Sequence, residues 1–230
     1  NSGTYNDCSP SMTIGSGLVW AEGPLVNAYA VGDGKPSYVC TVNNQGEYGL
    51  HASFVYHNGQ VYAAGGCKTN KTVTFYAINA LNGSHCWTWT QPDQDKHFTA
   101  SVYERGHPIE APPAVVDGRI YFGSTDGHIN CLEETTGKQV WRVLATNNTG
   151  KTPGGPWVKD TPLNTDAMAN IISASVCVVD GKLFYVTGGV YKKNTSAGLP
   201  GEHVACLDAQ SGKVLWKYFW PDVSSHTCAS

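Results

Sequence analysis

The sequence predicts an all-β chain built from four repeated four-stranded units, and three observations predict it. Residues 114–123 and 176–185 share one plan: an apolar strand, an Asp-Gly turn and a second apolar strand. Residues 131–141 match 206–216 almost position for position, each stretch closing on Gly-Lys-x-x-Trp. The charged fraction is 14%, with 26 Gly, 12 Tyr and 7 Trp. Soluble domains usually carry roughly 25% charge, so this balance favours tight turns and aromatic packing between sheets.

Each unit can be justified in order along the chain. The first, about residues 9–43, turns at Ser16-Gly17 and again at Gly32-Asp33-Gly34-Lys35, with Tyr38 where the others place Trp. The second, about 51–90, turns at Asn58-Gly59, and its later strands flank Asn82-Gly83 before Trp87. The third, about 110–146, uses Asp117-Gly118 and then Gly137-Lys138 before Trp141. The fourth, about 173–219, uses Asp180-Gly181 and then Gly212-Lys213 before Trp216. Asp-Gly and Asn-Gly favour the type I′ hairpin because both central positions need positive φ. A chain of 230 residues with 41% hydrophobic content then reads as one internally repeated domain over 1–230.

The A-x-D-x-x-T-G-K-x-x-W pattern, strongest at 131–141 and 206–216, resembles the tryptophan-docking motif of quinoprotein-type (PQQ-repeat) β-propellers. The resemblance implies that Trp87, Trp141 and Trp216 pack between neighbouring blades near the Gly-containing turn of the adjoining one. A four-stranded sheet cannot bury both faces alone, and an indole fills the gap between stacked sheets. Propellers have four to eight blades, so four units allow a compact four-bladed ring, half of an eight-bladed ring completed by a second copy, or a piece of a longer parent chain. Completion by a second copy, a homo-oligomer, is the favoured expectation.

The formal net charge of -3 and the lack of any Lys/Arg run argue against a nucleic-acid or anionic-membrane surface. No run of 18 apolar residues is present, and the polar start at Asn1 is expected to follow removal of a targeting peptide. Cys8, Cys40, Cys67, Cys86, Cys131, Cys177, Cys206 and Cys228 form an even set without C-x-x-C spacing, which reads as disulfides and no zinc site. Cys8 and Cys228 flank the repeats and are the expected partners at a closure seam. Four N-x-S/T sequons, at Asn70, Asn82, Asn147 and Asn194, point with the cysteines to a secreted glycoprotein carrying N-linked glycans.

Chemistry is expected on the face where the loops enter each first strand. Counting back from each first-turn glycine gives Ser9, His51, Glu110 and Ser173. His51 and Glu110 stand out because ionisable groups near an axis are costly unless paired, hydrated or bound. Residues 91–109 add Arg105, and 147–172 add Asp166 and Asn170; long loops on a rigid scaffold are the usual address of binding. No catalytic residue or metal cage is assigned.

The family resemblance implies a PQQ- and Ca²⁺-dependent dehydrogenase of alcohols or sugars, for which Glu110, Asn170, Asp166 and Arg105 are the right residue types. The adjacent cysteine pair expected over such a quinone is missing. The favoured expectation is therefore a cofactor-free extracellular binding or assembly module that takes a carbohydrate or protein ligand, with Trp157 and Tyr103 available for stacking. The dehydrogenase is the alternative.

Overall fold

Each unit opens on a hairpin whose turn chemistry sets the register. In the computed structural model, Ser16, Asn58, Asp117 and Asp180 all have positive φ (54°, 47°, 50° and 49°), and the glycine after each lies at 70–75°. Both central positions are thus left-handed, as a type I′ turn requires. The described residues are 12–22, 26–33, 35–40, 54–67, 72–91, 109, 111–124, 128–144, 175–187 and 203–219.

These residues form four antiparallel sheets of four strands, each a simple meander. The first blade contains β1 (Thr13–Gly15), β2 (Leu18–Glu22), β3 (Val26–Ala30) and β4 (Pro36–Cys40). The second contains β5 (Val55–His57), β6 (Gln60–Cys67), β7 (Thr72–Asn79) and β8 (His85–Thr90). The third contains β9 (Ala114–Val116), β10 (Arg119–Gly123), β11 (His128–Glu133) and β12 (Gln139–Leu144). The fourth contains β13 (Cys177–Val179), β14 (Lys182–Thr187), β15 (His203–Asp208) and β16 (Val214–Phe219).

The repeat extends to details invisible as residue identity. All four third strands shift register at the same place, at Ala28/Tyr29, Ala77/Ile78, Cys131/Leu132 and Cys206/Leu207. Beyond that bulge, the amides of Val31, Ala80, Glu134 and Ala209 donate to the carbonyls of Gly17, Gly59, Gly118 and Gly181 at 2.9–3.1 Å. The two turns of each blade are therefore tied together at one end, which fixes the second turn against the first.

The core lies in the seams between sheets. Trp20 and Ala28 of the first blade pack with Val61, Ala63 and Ile78 of the second. Tyr62, Phe75 and Ala77 of the second meet Ile120, Phe122 and Leu132 of the third. Phe75 and Phe122 stack with centroids 4.6 Å apart. Tyr121, Ile129 and Trp141 of the third meet Leu183, Ala205 and Leu207 of the fourth. Burial is thus shared between neighbours, as stacked repeats require.

Among the described residues, Cys86, Cys131, Cys177 and Cys206 form no disulfide. Cys131 and Cys206 are repeat-equivalent, sit opposite Trp141 and Trp216 in register and are buried. They fill the blade as small apolar groups, and burial pushes both thiols up. Cys86 and Cys177 are exposed on separate blades. Cys8, Cys228 and the side chains of Cys40 and Cys67 lie outside the described residues.

Candidate functional site

Among the described residues, two indoles fit into seats formed by the adjoining blade. The Trp87 Nε1–H donates to the Glu134 carbonyl at 2.9 Å, and the Trp141 Nε1–H donates to the Ala209 carbonyl at 3.1 Å. Each ring also lies over a left-handed glycine of the adjoining blade. A Cβ on Gly137 would collide with the Trp87 ring, and one on Gly212 would fall 2.8 Å from Trp141. The repeat needs glycine there both for φ and for the close approach. Both tryptophans are therefore engaged with the adjoining blade. Trp216 is oriented like them, 6.1 Å from Phe184, but is 46% exposed.

Sequence reasoning missed a polar cluster in the seam between the second and third blades. Where the second and fourth blades have Ala80 and Ala209, the third has Glu134, only 6% exposed. His57 Nδ1 donates to Glu134 Oε1 at 2.7 Å, and the buried Tyr62 hydroxyl donates to the same oxygen at 3.1 Å. Asn58 Nδ2 approaches it at 3.5 Å. Burial, together with the adjacent Glu134 carboxylate, holds the Tyr62 phenol well above its ordinary value. A carboxylate in a seam is costly unless its lone pairs are met, and here three donors meet them. The available signal was a Glu at a docking-motif position that holds Ala in two other copies.

The axial candidates His51, Glu110, Arg105, Asp166 and Asn170 lie outside the described residues, as do Asn70, Asn147 and Asn194. Asn82 is exposed on the second turn of its blade, where its Oδ1 accepts from the Ser84 amide and hydroxyl at 2.9 and 2.8 Å. Among the described residues, no group of three or more His, Cys, Asp or Glu could hold a metal ion. The buried Asn130 side chain donates to Ser124 Oγ at 3.1 Å while its Oδ1 makes no hydrogen bond to the protein. One free carbonyl oxygen is far from the six to eight that calcium takes, and the two seated indoles are not free to stack on a quinone. The described residues thus build the scaffold, and do not themselves form a seat for PQQ and Ca²⁺.

Four-stranded meanders with indole-and-glycine seats define a β-propeller of PQQ-type blades. Residues 69–224 match the PQQ_2 family, described as outer membrane protein assembly factor BamB, and the chain belongs to that family. Curated relatives include the dehydrogenase subunit of a quinone-dependent alcohol dehydrogenase from Gluconobacter oxydans, 26% identical over 164 residues, covering 70% of this chain and 18% of the relative. The match spans 16–20% of the length of the first such relatives. Among solved structures, quinohemoprotein alcohol dehydrogenase ADHIIG from Pseudomonas putida superposes with a TM-score of 0.65 at 17% identity, over 92% of this chain and 34% of that one. BamB from Moraxella catarrhalis gives 0.51 at 14% identity, over 91% and 61%. At these identities the structural likeness shows the fold.

Proposed function

We propose that the chain supplies blades to a quinoprotein-type ring that oxidises an alcohol with PQQ and Ca²⁺. The observation that carries this reading is the alignment of 70% of the chain with the dehydrogenase subunit of a quinone-dependent alcohol dehydrogenase. Further quinoprotein and quinohemoprotein alcohol dehydrogenases match at 24–28% identity. The earlier expectation of a cofactor-free module gains no support from these relatives. Under this reading Glu110 and Asn170 supply oxygen ligands of the kind calcium prefers. Asp166 is the base type suited to take a hydroxyl proton, and Arg105 offers a fixed cation. When bound, the quinone supplies the two-electron acceptor that side chains lack.

The test is reconstitution of the purified chain with PQQ and Ca²⁺, followed by quinone absorbance after gel filtration and dye reduction with short primary alcohols. Stoichiometric retained quinone with alcohol-dependent turnover, lost in Glu110→Gln, is the expected result. A folded chain that retains no quinone overturns it.

A second reading, a binding or assembly module for a protein or carbohydrate ligand, is favoured by the matched family's description as an assembly factor. It predicts that failed quinone retention leaves the blades intact by circular dichroism. Both readings place the protein outside the cytoplasm. The four sequons support this, as does the outer membrane named in the family description. A mass decrease on enzymatic deglycosylation of native protein, absent in Asn82→Gln for that site, tests the glycan.

A further inference from the structure

We propose that Asn58 is a site of non-enzymatic deamidation, and that the Glu134 carboxylate facing it makes the modification loosen the seam between the second and third blades. The proposal concerns the scaffold and is independent of the chemistry proposed above.

The chain holds two Asn-Gly pairs, Asn58-Gly59 and Asn82-Gly83. Such pairs are open to deamidation because glycine puts no side chain in the path of the attacking amide. The glycine nitrogen attacks the asparagine Cγ, a C–N bond forms, and the side-chain nitrogen leaves as ammonia with the attacking nitrogen's proton. Water then opens the succinimide ring at either carbonyl, giving aspartate or isoaspartate. Water is the co-reactant, and nothing is oxidised or reduced.

The two pairs are not equally free to react. The Gly83 amide donates to the Asn79 carbonyl at 2.9 Å, and Asn82 Oδ1 accepts from the Ser84 amide and hydroxyl at 2.9 and 2.8 Å. Nucleophile and acceptor are thus both engaged at Asn82, and those bonds must break first. Asn58 is exposed on its turn, and Gly59 enters the tie between turns through its carbonyl, which accepts from the Ala80 amide at 2.9 Å. The Asn58 side chain makes the long approach of Nδ2 to Glu134 Oε1, at 3.5 Å.

The repeat shows what the product meets. The place of Asn58 is taken by Asp117 in the third blade and Asp180 in the fourth, both at positive φ, so aspartate suits the turn itself. Asp117 belongs to the blade whose indole docks on Ala209, whereas Asn58 belongs to the blade whose indole docks on Glu134. An acidic turn residue therefore goes with an alanine seat, and an amide with a glutamate seat. Deamidation breaks that match. A donor to Glu134 Oε1 becomes a second carboxylate beside a side chain that is 8% exposed, where like charges repel more strongly than in water. Isoaspartate also lengthens the main chain of a two-residue turn whose φ pair of 47° and 75° sets the hairpin register.

The experiment is incubation of the folded, unglycosylated full chain at mildly alkaline pH, with peptide mass spectrometry following the amide-to-acid mass gain at both pairs. Asn58 is expected to convert at least about fivefold faster than Asn82, the factor for one hydrogen bond that must be broken first. Equal rates, or faster conversion of Asn82, overturn the site. Urea unfolding reads the consequence. Asn58→Asp is expected to lower the midpoint, and the same change in a Glu134→Ala background, where the facing residue is alanine as in the fourth blade, is expected to lose most of that shift. Failure of Asn58→Asp to fold, relieved by Glu134→Ala and seen as a recovered β-sheet circular dichroism spectrum, is the same result in its extreme form. An equal effect in both backgrounds, or none in either, overturns the role of Glu134.

Discussion

Trp141 donates its indole N–H to the carbonyl of Ala209, 68 residues away on the next blade, at 3.1 Å. The same ring lies against Gly212, so one side chain reads both a carbonyl and a glycine of its neighbour. The seam is specific because the two requirements fall on one turn.

Replacing the seat glycines separates backbone strain from seam packing. Gly118, Gly137 and Gly212 have φ of 73°, 70° and 72°, so alanine at any of them costs about 1–2 kcal/mol in the left-handed region. Nothing lies within 4 Å of a Cβ on Gly118, whereas one on Gly137 or Gly212 meets an indole. Gly137→Ala and Gly212→Ala are therefore expected to exceed Gly118→Ala by a further ~1–3 kcal/mol of overpacking, read from urea unfolding of the three variants. Equal losses at all three positions would show that the indoles yield freely.

The hydrogen bond and the bulk of Trp141 can be weighed separately. Trp141→Phe keeps an aromatic ring but leaves the Ala209 carbonyl unmet, a change worth about 1 kcal/mol. Trp141→Ala empties the seam, for which large-to-small aromatic changes cost about 3–5 kcal/mol. Thermal unfolding should rank the variants in that order, and the reverse order would remove packing as the seam's main source of stability.

The fold was legible because turn chemistry and docking share a fixed spacing. Asn58-Gly59 and Asp117-Gly118 announced type I′ turns, and Trp87 and Trp141 announced seams, since each rests on local geometry that few other residues satisfy. Cys131 and Cys206 fill the space opposite an indole, a place that depends on strand register and that spacing alone does not show. Glu134 was legible only as a departure from the repeat. Its partners His57 and Tyr62 belong to another blade, 77 and 72 residues away, and no sequence periodicity joins them. His51 and Glu110 were legible only by their place in the repeat, and Arg105, Asp166 and Asn170 only by residue type, and all five lie outside the described residues.

Glu134 and Tyr62 should prove energetically coupled. Glu134→Ala restores the residue type of Ala80 and Ala209 but leaves the buried Tyr62 hydroxyl only its longer 3.3 Å bond to Gln60 Oε1, at a cost of about 1 kcal/mol. Tyr62→Phe removes that hydroxyl, so the double variant is expected to be less destabilised than the two single losses added together. Strict additivity in denaturant unfolding would mean that the 3.1 Å contact contributes nothing.

Alkaline stability should fall because buried phenols keep protons that the unfolded chain gives up. Tyr62, Tyr121 and Tyr185 are all raised above the ordinary value of 10.0, burial being the largest cause in each, and Tyr121 is pushed up to about 12. Their contribution is fully present below pH 10.0. Above it the unfolded chain binds fewer protons than the folded one, so stability declines with rising pH. For Tyr121 the decline ends near its folded value of about 12. Denaturant midpoints measured between about pH 8 and about pH 11 should be flat at first and then drop beyond the ordinary tyrosine value. Tyr121→Phe, which keeps the ring beside Trp141, should make the drop shallower. Tyrosinate absorbance should rise together with unfolding and not before it for the buried phenols. If these three phenols ionised while the blades remained folded, the seams would be open to water at these positions.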